Sequence, residues 1–98
     1  MFCAVSKFQT LPENLDKLIK VYNEHAIPAV LPQPGFKGTY LLTKPSGDCM
    51  ILSIWDTEEQ ANAWPQNPEH KRAGEKLGPL ISSTPVREGY ELGAHAVA

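Results

Sequence analysis

Cysteine is scarce in this chain: Cys3 and Cys49 are the only two among 98 residues. Two thiols are too few for a disulfide scaffold, and their spacing is not that of a metal knuckle. An excess of one charge is missing as well. The net charge is −2 and the lysines and arginines are scattered, so no basic stripe points to nucleic acid. No apolar run approaches the roughly 20 residues of a membrane helix. The first residues, MFCAVSKF, lack the charged-then-apolar layout of a signal peptide, and the chain reads as cytoplasmic. What is present is ordinary for a soluble globular domain: 42% hydrophobic and 20% charged residues. The length suits one domain over 1–98, with a core at 2–92 and an apolar tail at 93–98.

The stretch Asp48 to Trp64 organises the rest. Cys49 to Trp55 is an apolar run of strand length, with Met50, Leu52 and Ile54 on one side and Cys49, Ile51 and Trp55 on the other. A strand with one wet face alternates apolar with polar, so this one expects cover on both sides. Thr57 with Gln60 three places on, and Glu58 and Glu59 between them, signals a helix start directly after it.

In chain order, Phe2 to Gln9 reads as a strand, and Thr10-Leu11-Pro12-Glu13 opens a helix. Leu15, Leu18, Ile19, Tyr22 and Ala26 recur at helical spacing, and Pro28 predicts a kink or an end near His25 and Ala26. Phe36 to Thr43 is a second strand, joined to the central one by the hairpin loop Lys44 to Asp48. Asn67-Pro68-Glu69 starts a helix that runs to about Leu77, and Pro85 to Leu92 is the last strand.

Strand, helix, strand, strand, helix, strand is the ferredoxin-like βαββαβ pattern, an α+β fold with a four-stranded antiparallel sheet and helices on one face. The other face takes a share of Phe2, Val5, Leu41, Leu42, Ile51 and Leu52, a patch too apolar to leave in water. A second copy, sheet against sheet, is the simplest cover, which predicts a homodimer through the open sheet face. In this topology the first and third strands are antiparallel neighbours. Cys3 and Cys49 should therefore be reduced and at opposite ends of the sheet.

Among residues that carry chemistry, His70 shares a helix face with Ala73 and Leu77, and His25 lies three residues after Tyr22. Both are read as facing the gap between helices and sheet, where an imidazole serves as a base at neutral pH. The bland alternative is a helix-edge histidine bonded to a carbonyl or to water. His95, in the tail, is incidental. Trp55 reads as packing, whereas Trp64, ahead of Pro65, is placed at a pocket.

Pro34-Gly35-Phe36, then Gly38-Thr39-Tyr40-Leu41-Leu42, Ile54-Trp55-Asp56-Thr57-Glu58-Glu59 and Ala63-Trp64 resemble the antibiotic biosynthesis monooxygenase family over residues 2 to 92. The resemblance implies a dimeric α/β barrel. It also implies a cofactor-independent monooxygenase acting on a small phenol- or quinol-type aromatic, whose carbanion reacts with O₂. On that reading His70 or His25 is the base, and Trp64, Tyr22 and Tyr40 line the pocket. Arg87 is read as a solvated edge charge in preference to an anion partner. The same fold hosts other roles. One alternative is a small-ligand-binding dimer without catalysis, and another is a haem-binding or haem-degrading protein. The haem-degrading pattern is matched by Trp64 alone. Its strand asparagine falls near Ser6 or Lys7, and its histidine ligand would fall at Ala73 or Gly74, whereas His70 comes earlier.

Overall fold

In the computed structural model, which describes residues 1–98, Phe2–Gln9 (β1) is an inner strand of the sheet. One edge of β1 pairs antiparallel with Asp48–Trp55 (β3), from Phe2 opposite Trp55 to Gln9 opposite Asp48. Its other edge pairs with Val86–Glu91 (β4), and Phe36–Thr43 (β2) completes the sheet beyond β3. The order is β2-β3-β1-β4, the α+β ferredoxin-like arrangement expected from the sequence. No helix is long and apolar enough to cross a membrane.

The two later helices start where their capping residues put them. Thr57 Oγ1 accepts a hydrogen bond from the Gln60 amide at 3.2 Å and opens Glu58–Ala63 (α3). Asn67 Oδ1 accepts from the Glu69 amide at 2.8 Å, with Pro68 in the first helical position, and opens Pro68–Leu77 (α4). In the β2–β3 hairpin, Gly47 adopts φ 95 and a Cβ there would meet the Thr10 carbonyl oxygen at 2.0 Å, so only glycine fits.

Two one-residue irregularities decide which side chains face the helices. The first helix does not end at Pro28. It runs as Leu15–Val21 (α1), a wide π turn over Tyr22–Ala26, and Ile27–Val30 (α2). Pro28 has no N–H to donate, and its ring crowds the carbonyl four residues back. The turn before it opens instead, and the Ile27 amide bonds five residues back to Tyr22 O. The second irregularity is a β-bulge. Phe36 pairs with Trp55 and Gly38 with Ile54, leaving Lys37 as the extra residue, tied to Asp56 by a 3.4 Å ion pair. The alternation after the bulge is reversed. Thr39 and Leu41 pair with the helix-facing Ser53 and Ile51, while Tyr40 and Leu42 point to the open face.

Pairing also sorts the apolar residues of the two faces. Phe2, Leu41 and Ile51, grouped in the sequence reading with the uncovered residues, pack on the helix side. The opposite face carries Cys3, Val5, Leu52 and Ile54, flanked by Tyr40 (57% exposed), Leu42 (50%), Val86 (57%) and Tyr90 (51%). Cys3 lies opposite Ile54 and Cys49 opposite Phe8, five strand positions apart, or about 17 Å. Both thiols are free and buried, and burial pushes their pKa values up, so neither is a ready thiolate.

Candidate active site

The helix-facing core falls into two clusters, one around Leu18, Tyr22, Phe8 and Leu77 and the other around Trp55, Phe2, Val30 and Ala61. Along β1 the residue between them is Ser6. The next row of that sheet face is also short, with Ala4 paired to Ser53 and Ser53 to Thr39. Short side chains in the middle of the sheet leave a cavity of about 740 Å³ between sheet and helices. That volume lies within the range of small-molecule sites.

Trp64 and His70 stand on one wall. A chain of aromatic contacts carries the site back into the core. Phe36 meets Trp55 edge-on at 5.4 Å, Trp55 lies 6.3 Å from Trp64, and Trp64 meets His70 edge-on at 5.2 Å with planes at 89°. Pro65 and Asn67 end α3 and restart the chain as α4, which brings Trp64 and His70 together across the corner. Burial lowers the His70 pKa from its ordinary 6.5, and the Arg87 charge lowers it further, so the imidazole is neutral at pH 7 and free to accept a proton.

Arg87 lines the cavity from the edge strand while its side chain stays open to solvent. It sits on β4 opposite Ser6, and its Nη2 donates to the Ala61 carbonyl at 2.9 Å, holding the guanidinium under the end of α3. Tyr22 lines the far wall. Thr39 Oγ1 donates to the Leu52 carbonyl at 2.9 Å, so its contact with the Tyr22 hydroxyl at 2.5 Å has the phenol as donor. Burial pushes the Tyr22 phenol up from 10 while the Thr39 bond pulls the other way. Tyr22 is thus a protonated tether between the first helix and β2. Tyr22→Phe is expected to lower stability by about 1 kcal/mol in urea denaturation, the worth of one such bond.

The residues singled out from the sequence separate. His70, Trp64 and Tyr22 share the cavity. His25 does not: it is exposed, because the π turn carries it away from the side that Tyr22 and Ala26 present to the cavity. Tyr40 lies on the opposite sheet face, because the Lys37 bulge reversed the alternation behind it. Ser6, Ser53 and Arg87 emerge as polar groups of the site. The signal for Ser6 and Ser53 in the sequence was a serine at a helix-facing position of each of two otherwise apolar strands. The Ser53 hydroxyl oxygen accepts from Trp55 Nε1 at 3.0 Å, which leaves its own proton to donate.

No group of three or more His, Cys, Asp and Glu side chains could hold a metal ion. Ala73 and Gly74, where the resemblance would place a haem ligand, have no donor atom in their side chains, and Ser6 stands near the place of the asparagine.

The chain is thus an α+β protein whose ferredoxin-like sheet carries a side-chain-lined cavity on its helix face. The family model for antibiotic biosynthesis monooxygenase matches residues 1–76, and the chain belongs to that family. No protein of curated function matches it. Solved structures show the same fold. One from Bordetella bronchiseptica superposes with a TM-score of 0.85 at 11% identity, over 95% of this chain and 97% of that one. One from Caulobacter crescentus CB15 gives 0.81 at 19% identity, over 95% and 90%. Both carry the provisional designation of antibiotic biosynthesis monooxygenase. The NE2512 protein of unknown function from Nitrosomonas europaea gives 0.81 at 16% identity, over 99% and 93%.

Proposed function

We propose that this protein is a monooxygenase that oxidises a phenol- or quinol-type aromatic with O₂, using no metal or flavin of its own. The observation that carries this reading is the neutral His70 imidazole, edge-on to Trp64 at 5.2 Å in a cavity of about 740 Å³. An aromatic ring lying along Trp64 would present its hydroxyl to a base that is unprotonated at neutral pH.

His70 takes the phenol proton, and the electron-rich anion delivers electrons to O₂. The carbon para to the oxygen bonds to one oxygen atom, and the resulting hydroperoxide loses water as His70 returns its proton. A ring C–H and the phenol O–H have then become two C=O groups. One oxygen atom of O₂ has entered the ring and the other has left as water. The four electrons come from the substrate, so no outside reductant is required. Ser53 offers a hydroxyl donor on the floor, where charge builds on oxygen.

Oxygen uptake over a panel of quinol-type substrates tests the reading. Uptake above background that depends on His70 supports it. Tight binding without uptake would make the protein a ligand carrier instead.

The working form is proposed to be a homodimer, sheet face to sheet face, which would close the two sheets into a barrel. Four large side chains at 50% exposure or more ring the buried Cys3 and Val5 on that face. Light scattering should return twice the 10.8 kDa chain mass. Because a two-fold axis repeats every change, Leu42→Asp puts two carboxylates into the interface and should shift the protein to monomer.

A further inference from the structure

The cavity holds one formal charge and no partner for it. Arg87 is the lone charged residue on its lining, beside the neutral His70, and no Asp, Glu or Lys contributes. None of the ion pairs in the protein involves Arg87. Its hydrogen bond to the Ala61 carbonyl fixes the guanidinium in place but leaves most of its donors unused. Ser6, directly opposite Arg87 on the neighbouring strand, puts a hydroxyl on the same face about 5 Å away at the Cβ level. A cation at the cavity rim, anchored by a carbonyl and with hydroxyl groups beside it, can receive an anion.

We propose that the substrate is an aromatic carboxylate, its carboxyl group held by Arg87 with Ser6 beside it and its ring along Trp64 within reach of His70. This deepens the functional reading above and rests on it for the role of the ring hydroxyl. A carboxylate suits the site better than a phosphate for two reasons. The planar guanidinium fork matches a carboxylate in a bidentate arrangement, and one positive charge balances one negative charge, whereas a phosphate dianion would stay uncompensated. The anion also fixes the ring's orientation, because it anchors one end at β4 while Trp64 takes the face or edge of the other. Occupancy of Arg87 further removes the positive charge that opposes protonation of His70, so the base strengthens when the correct ligand is bound.

The test is equilibrium binding, followed by tryptophan fluorescence and calorimetry, of 3-hydroxy-2-naphthoate against its methyl ester at pH 7. The wild type should bind the acid at least tenfold tighter. Arg87→Gln removes the charge and keeps a polar side chain, although its amide stops two bonds short of the Nη2 that reaches Ala61; it should fold as the wild type does, which thermal melting checks. It should bind acid and ester equally, with ester affinity unchanged. Arg87→Lys should recover part of the preference, and Ser6→Ala should lose a few-fold for the acid alone. Equal binding of acid and ester by the wild type, or a preference that survives in Arg87→Gln, overturns the proposal. Binding requires no turnover, so a subsite that works without oxygen uptake would sink the oxygenase reading and leave this one standing. Uptake of neutral phenols without acid preference would do the reverse.

Discussion

Replacing His70 by alanine should lower the rate of oxygen uptake by 10²- to 10⁴-fold, the usual contribution of a positioned base. The imidazole is half-buried on the exposed corner of α4, and its one aromatic contact is the edge-on approach to Trp64. Its removal enlarges a cavity that is already open, so the fold should survive. Melting temperature within a few degrees of wild type, with substrate binding retained, would assign the loss to chemistry. His70→Gln keeps a polar side chain without a useful base, and it should be as slow as the alanine variant. His25→Ala, on the exposed side of the π turn, should turn over like the wild type.

Trp55→Ala is expected to do the opposite: it should damage stability first. Trp55 is 1% exposed and sits between Phe36 and Trp64, with its indole N–H on Ser53. Truncation removes the largest side chain of its cluster and leaves a void beside Phe2 and Ala61. Such changes cost about 3–5 kcal/mol, against a total of about 5–15 kcal/mol for a domain. Urea titration should show the midpoint collapsing, with part of the population unfolded in buffer. Trp55→Phe keeps most of the packing and should recover more than half of the loss. Because Trp64 rests on Trp55, the ring against which His70 is placed should also lose its position in whatever fraction stays folded.

The contrast between these two variants reflects what the sequence made legible. Strand limits, caps and strand order follow from local rules: Thr57 and Asn67 are good caps, and Phe2 to Gln9 needs no tertiary information to be read as a strand. Trp55 as packing followed from its place at the end of a doubly apolar strand. His70 was readable because Ala73 and Leu77 mark the inward face of an unbroken helix. The misplaced residues share one cause. His25 lies within a π turn and Tyr40 lies beyond a β-bulge, and each irregularity inserts one residue into a periodic pattern. A single inserted residue turns a side chain to the other face, and no periodic template registers it. Pro28 was a warning of the first, since it predicted a kink. The second had no comparable mark, as Lys37 is unremarkable in a strand. Arg87 was read as a solvated edge charge, and it does stay exposed on β4; only the register with Ser6 and the reach to Ala61 show that it also borders the cavity.

The pH dependence of oxygen uptake tests the central claim most directly. In the wild type the His70 pKa lies below 6.5, lowered first by burial and then by Arg87, so the base form persists to more acidic pH than for a free imidazole. With a neutral quinol-type substrate, kcat/KM, which reports the free enzyme, should level off on the alkaline side of 6.5, the ordinary imidazole value. It should fall on the acid side with a midpoint below that value, and His70→Ala should lack this limb altogether. A midpoint at or above 6.5 in the wild type, or the same acid limb persisting in His70→Ala, would contradict the assignment of His70 as the base.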